Sequence, residues 1–98
     1  MPMNKVAYND CYGIFSLSRE AIAWIKDNYP DYDNWYFVNR HDPRLIDCIE
    51  TLGEKVNDKY SDIKIAEIKG DTYRIEENDG LEVVQEPIDL DWIKIDWF

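Results

Sequence analysis

The run Asn39-Arg40-His41-Asp42-Pro43-Arg44 concentrates the residue types that handle anions. It sets two guanidinium groups and the chain's one histidine at the start of an expected helix. Helix N-termini present unpaired N–H groups and a partial positive charge, and arginine adds forked donors that match phosphate or carboxylate. In a chain of net charge −10 these residues make a local positive spot. Arg40, His41, Asp42 and Arg44 are therefore candidate ligands for an anion such as a nucleotide phosphate. The competing reading is structural: Asp42 caps the helix and Arg40 pairs with a neighbouring acid.

Cys11, His41 and Asp42 are the types a thiol nucleophile needs, since a histidine must draw off the thiol proton and a third group must orient the histidine. No nucleophile signature surrounds Cys11, so a small Cys/His hydrolase is an alternative rather than the leading reading. No metal site is expected, because one histidine and two separated cysteines lack zinc spacing and the scattered acids lack a calcium loop. The four glycines are isolated at positions 13, 53, 70 and 80, so no phosphate-cradling loop exists. No motif calls for a cofactor. Of the aromatic set Tyr8, Tyr12, Tyr29, Tyr32, Trp35, Tyr36, Trp92 and Trp97, most should be core. Any left exposed can stack a base or anchor a protein interface.

The acids are unevenly spread. Residues 1–49 hold seven acids and five bases, whereas residues 50–98 hold fourteen and six. Glu76, Glu77, Asp79, Glu82 and Glu86 cluster in an expected hairpin, and Asp89, Asp91 and Asp96 continue along the tail. They form either a solvated face that aids solubility or a surface that imitates nucleic-acid phosphate and occupies a basic groove on a partner. Phosphates recur about every 3.4 Å along a strand. Alternate residues of a β-strand recur at about 6.8 Å, so the spacing permits such mimicry.

The elements that position these residues are legible as a pattern. Lys5-Val6-Ala7-Tyr8 reads as a first strand, followed by a loop in which Gly13 is expected to take an unusual backbone angle. Ser18 caps a helix whose stripe is Ala21, Ile22, Trp24 and Ile25, with Leu17 stapling onto Ile22. Pro30 ends that helix near Asn28. Trp35-Tyr36-Phe37-Val38 reads as a buried strand. Asp42 and Pro43 open a second helix, and Leu45, Ile46, Cys48, Ile49, Leu52 and Val56 recur at helical spacing up to Asn57-Asp58. Ile63, Ile65 and Ile68 belong to a strand. Tyr73 to Glu76 pairs with Leu81 to Val84 across Asn78-Asp79-Gly80, a strong hairpin signal. The tail from Ile88 to Phe98 is a last strand or a docking segment. The order β-α-β-α-β-β-β implies a single α+β domain over residues 1–98, with two helices packed on a mainly antiparallel sheet in two layers.

Ninety-eight residues leave no room for a second domain. The chain is 45% apolar and 14% aromatic, which excludes an acidic disordered segment. No apolar run is long enough to cross a bilayer. The excess of acid disfavours direct binding to nucleic acid or to an anionic membrane. The opening residues carry no secretory signal, so a cytoplasmic location, in the host cell if the chain is viral, is expected. Cys11 and Cys48 then read as free thiols acting as small buried hydrophobes.

Asn9-Asp10-Cys11-Tyr12-Gly13-Ile14-Phe15-Ser16-Leu17-Ser18 resembles the CYGGF-x-LS opening of a family of small acidic proteins from phages, prophages and some large viruses. Arg40-His41-Asp42-Pro43-Arg44-Leu45 with Glu50-Thr51-Leu52-Gly53-Glu54-Lys55 is similar to that family's second signature. Ile63 to Ile68 and Tyr73 to Gly80 are similar to its third. The resemblance spans nearly the whole chain and carries over Cys11, Tyr12, Gly13, Arg40, Asp42 and Pro43; Ile14 departs from it by replacing the second glycine. It implies a viral setting and no particular mechanism.

The leading expectation is a non-catalytic phage-type binding protein that blocks a host factor, either a defence protein or its anionic signalling ligand. In it, Cys11, Tyr12, Gly13, Arg40, His41, Asp42 and Arg44 form the ligand site. Glu76, Glu77, Asp79, Glu82 and Glu86 meet a host protein. The alternatives are the acidic nucleic-acid mimic, the hydrolase and a virion component, whose aromatic-rich tail would suit a homo-oligomer.

Overall fold

A computed structural model describes residues 4–31 and 39–87. Strand β1 (Asn4–Asn9) is followed by helix α1 (Arg19–Asn28), helix α2 (Pro43–Leu52), a 3-10 turn (Gly53–Val56), strand β2 (Ile63–Ile68), and strands β3 (Arg74–Asn78) and β4 (Leu81–Gln85). The fold is α+β, with two helices and four antiparallel strands among the described residues. The strands fall into two two-stranded sheets, β1–β2 and β3–β4. The strand expected at residues 35–38 and the tail at 88–98 lie outside the described residues.

Each helix begins where its capping chemistry dictates. The Ser18 hydroxyl accepts from the Ala21 N–H at 3.1 Å and donates to the Lys55 carbonyl at 2.6 Å, so one side chain starts α1 and ties it to the 3-10 turn that follows α2. Asp42 accepts from the Arg44 N–H at 2.9 Å, and Pro43 occupies the first turn, where its missing N–H costs nothing. The second helical stretch departs from expectation at its end. Gly53 sits at φ +61°, a conformation glycine adopts without penalty, and the chain tightens into a 3-10 turn that buries Val56.

The core lies between the helix pair and one face of β1–β2. Ala21 and Ile25 from α1 and Leu45, Ile46, Cys48 and Ile49 from α2 meet Ala7, Val56 and Ile63. Phe15, Leu17, Trp24, Tyr29 and Ile65 border this cluster. The register Ala7↔Ile65 and Asn9↔Ile63 puts these residues on the helix side. Val6 points the other way and is equally buried, beside His41, Ile68 and Tyr73. Cys48 behaves as a small core residue, as expected, and burial, with help from the Asp47 charge, pushes its thiol up to about 11. Cys11 does not share that setting and is only half-buried.

The hairpin turns on Asp79 (φ +54°) and Gly80 (φ +91°), two consecutive left-handed residues. A two-residue loop of this kind matches the natural twist of the flanking strands. It fixes the register Asn78↔Leu81, Glu77↔Glu82, Glu76↔Val83 and Ile75↔Val84. Glu77, Glu82, Ile75 and Val84 therefore share one face, and Glu76 and Val83 share the other.

Candidate functional site

Of the expected site residues, Cys11, Tyr12, Gly13 and Arg40 gather around the end of β1, held by a buried asparagine that the sequence patterns did not single out. Asn9 is fully buried. Its amide nitrogen donates to the Cys11 carbonyl (3.1 Å) and the Gly80 carbonyl (2.9 Å). Its side-chain oxygen accepts from the Asp62 N–H (2.8 Å) and from the Cys11 thiol (3.5 Å). Its backbone N–H donates to Glu82 Oε1 at 2.8 Å. One amide thus joins β1, the loop after it, the start of β2 and the hairpin tip. Only an amide presents two donors and an acceptor at this point.

Glu82 forms the second half of this clamp. Both oxygens accept from the Arg40 guanidinium, at 2.6 and 3.1 Å, in a forked pair whose side chains are 18% and 8% exposed. The same guanidinium lies 3.6 Å from the centre of the Phe15 ring. The Arg40 carbonyl accepts from the Ala7 N–H. Glu82 is therefore not part of an exposed acidic face, which corrects the sequence expectation. It shares a face with Val84, which must pack inward, and Arg40 neutralises it there.

The loop after β1 is locked by backbone proximity. Ile14 N–H donates to the Tyr60 carbonyl and Asp10 N–H to the Asp62 carbonyl. A Cβ on Gly13 would lie 2.0 Å from the Tyr60 oxygen, and one on Gly80 only 1.6 Å from the Gly13 oxygen. The expectation of an unusual angle at Gly13 is thus corrected: φ is positive at Gly53 and Gly80 and not at Gly13. Gly13 is needed because the Tyr60 backbone approaches it, and Gly80 because it lies against the Gly13 backbone.

Locking this loop leaves large apolar side chains outside. Tyr12, Ile14 and Tyr60 are 73%, 60% and 54% exposed. Tyr60 sits in a turn held by Asp58, which accepts from the Tyr60 N–H at 2.7 Å and whose own N–H donates to Ser61. Desolvation pushes the Asp58 carboxyl up, but hydrogen bonds from Ser16, the Tyr60 N–H and Ser61 outweigh it and hold the group below the usual carboxylate range. A cleft of about 350 Å³ opens beside Ile14, lined by Phe15, Arg40, Glu77 and Glu82. Neither Tyr60 nor Phe15 was singled out from the sequence. The available signal was an aromatic inside a polar turn, Asp58-Lys59-Tyr60-Ser61, where burial is hard to arrange.

The anion-binding constellation is divided. Arg44 Nε and Nη2 donate to Asp42 at 3.0 and 2.8 Å, and Asp42 is 5% exposed. A carboxylate therefore already occupies the start of α2, and Arg40 turns to Glu82 instead. The two guanidinium groups do not converge on one pocket. His41 lies apart, its Nδ1 2.7 Å from the Tyr73 hydroxyl, at a separate cleft of about 300 Å³ beside Lys5 and Asp71. The Cys11 sulfur faces Asn9 and the Tyr60 carbonyl, so the structure does not bring Cys11 and His41 together as nucleophile and base.

The acidic set is also divided. Glu76 and Asp79 are exposed, Glu76 pairing with Arg74 at 2.9 Å. Glu77 is exposed and accepts from the Gly80 N–H. Glu86 accepts from the Lys69 and Gly70 N–H groups. With Glu76 and Glu77 on opposite faces and Glu82 buried, the hairpin carries no ladder of acids at phosphate spacing.

Among the described residues no helix is long and apolar enough to cross a membrane, and no three His, Cys, Asp or Glu residues converge as metal ligands. No family model, curated protein or solved structure matches the chain.

Proposed function

We propose that this chain is a small non-catalytic binding protein that docks on and blocks a host protein, in the phage setting that its signature residues imply. The observation that carries this reading is the contrast around β1. Residues equipped for chemistry are engaged in holding the fold, Arg40 by Glu82, Arg44 by Asp42 and Cys11 by Asn9. Tyr12, Ile14 and Tyr60 instead stand exposed on one locked loop edge. Exposed aromatics on a rigid support suit an interface, where they bring large contact area at little entropic cost. A defence protein is the leading kind of target.

The test is capture of host proteins from phage-infected lysate by the whole chain and two variants. Cys11→Ser should leave the captured set unchanged. The double variant Tyr12→Ser/Ile14→Ser, which alters only exposed side chains, should lose it. Loss with Cys11→Ser and retention with the double variant would overturn the reading and favour the hydrolase alternative.

A further inference from the structure

We infer that the edge formed by Tyr12, Ile14 and Tyr60 recognises a partner protein segment in which an apolar residue stands next to an arginine or lysine. The inference rests on the docking reading above and specifies the chemistry of its partner. The apolar part follows from exposure, because the three side chains are each more than half exposed. Hydrogen bonding holds the residues 12–14 loop against Tyr60, so the three present a single edge.

The basic part follows from charge complementarity in the adjoining cleft of about 350 Å³. Its one cation, Arg40, is paired with Glu82 through two hydrogen bonds. Glu77, directly opposite Glu82 in the hairpin, has no cationic partner among the described residues and accepts only from the Gly80 N–H. Asp79, at the tip next to Gly80, is also exposed without an ion pair among those residues. Ile14 and Phe15 form the apolar wall, which suits the methylene stem of a long cationic side chain whose charged end reaches Glu77. Lys59, next to Tyr60 in the chain, lies over the Tyr60 ring, 4.9 Å from its centre, and makes no ion pair with Glu77. An acidic or purely apolar segment would leave Glu77 facing a like charge or no charge, at a cost in affinity.

The experiment titrates the whole 15N-labelled chain with the peptide acetyl-Gly-Leu-Arg-Gly-amide and with analogues carrying Glu in place of Arg or Ser in place of Leu. The Leu-Arg peptide should shift the amides of Gly13, Ile14, Tyr60 and Gly80 saturably, and either analogue should weaken this. Glu77→Gln should weaken it about fivefold, the upper range for one partly exposed charge pair. Absence of saturable shifts, shifts mapped to another face, or equal binding of the Glu analogue would each overturn the inference. So would an Ile14-dependent dimer in light scattering, which would make a second copy of the chain the occupant. Lysate capture separates the two levels. If the peptides fail but Tyr12→Ser/Ile14→Ser still abolishes capture, docking stands and the basic partner falls. If that variant still captures the same host protein, the docking reading itself falls.

Discussion

The helices and the β1–β2 sheet share a core built from Ala7, Ala21, Ile25, Leu45, Ile46, Cys48, Ile49, Val56 and Ile63, whereas the β3–β4 hairpin contributes no buried apolar residue. The hairpin's one buried side chain is the carboxylate of Glu82. The first region is held by apolar contact, which is non-directional and tolerates small shifts. The second is held to β1 and to Arg40 by directional bonds, chiefly Glu82 to Arg40 and to the Asn9 N–H, and Asn9 to the Gly80 carbonyl. Such bonds fix a position sharply but contribute little net stability, since each replaces bonds to water. The hairpin is therefore placed with precision while remaining the weaker part, and the exposed edge of Tyr12, Ile14 and Tyr60 lies at the seam between the two regions.

The largest expected effect separates them directly. Leu45→Ala removes a fully buried side chain from the core and should cost between about 2 and 5 kcal/mol, lowering the denaturation midpoint of the whole domain. Glu82→Ala strands the Arg40 guanidinium and should cost about 3 kcal/mol. Its effect should be local, with hydrogen exchange accelerated in residues 74–85 and the α2 amides left protected. Arg40→Met combined with Glu82→Leu should recover most of that loss, because a buried ion pair can be replaced by packing. If Glu82→Ala instead speeds exchange uniformly, hairpin and core are one cooperative unit and the contrast fails.

A smaller effect is expected where the hairpin tip meets the loop. Gly80→Ala should destabilise by at least about 1 kcal/mol, because Gly80 is left-handed and its new Cβ would overlap the Gly13 oxygen. The tip and the residues 12–14 loop should show the change first in amide shifts, with the helix amides unmoved. An alanine variant as stable as the parent would mean that the tip does not bear on the loop.

The two thiols read out the same contrast chemically. Cys48 is fully buried, and its raised value favours the unreactive thiol. Cys11 sits half-buried at the seam. Alkylation at pH 8 should modify Cys11 and spare Cys48. Glu82→Ala should speed modification of Cys11 alone, and Leu45→Ala should expose Cys48. The raised value also carries a pH sign. Its contribution to stability is complete below the ordinary thiol value of 9.0 and is lost as pH rises through about 11.

Much of the core region was legible because its signals are local. Ser18 caps α1, Asp42 and Pro43 open α2, and the periodic apolar residues turn inward. The hairpin turn was legible for the same reason, since Asp79-Gly80 states its own backbone requirement. The clamp was not. In Leu81-Glu82-Val83-Val84 the exposed apolar residue is Val83 and the buried residue is the acid, the reverse of the usual rule. That inversion depends on Arg40, forty-two residues earlier in the chain. Asn9 is similar: its role needs the Gly80 and Asp62 backbones, both remote in sequence. Gly13 takes no unusual angle, and the close approach of the Tyr60 backbone that requires it is a property of the fold and not of the dipeptide.

The smallest expected effect tests whether the exposed Tyr12, Ile14 and Tyr60 edge has its own acid sensitivity, separate from the core. Asp58 holds the turn that presents Tyr60, and its carboxyl is kept below the ordinary carboxyl value of 3.8 by the hydrogen bonds it accepts. Because the folded value is the lower one, the stabilisation is present above about pH 3.8 and is lost as pH falls through the folded value. A side-chain NMR titration should place the Asp58 midpoint below 3.8, with the Tyr60 and Ile14 amides shifting in parallel while the α2 amides stay constant. Asp58→Asn should remove that step and leave thermal stability nearly unchanged at neutral pH. A midpoint at or above 3.8, or Tyr60 and α2 shifting together, would show that acid acts on the molecule as one unit and that the edge is not separately poised.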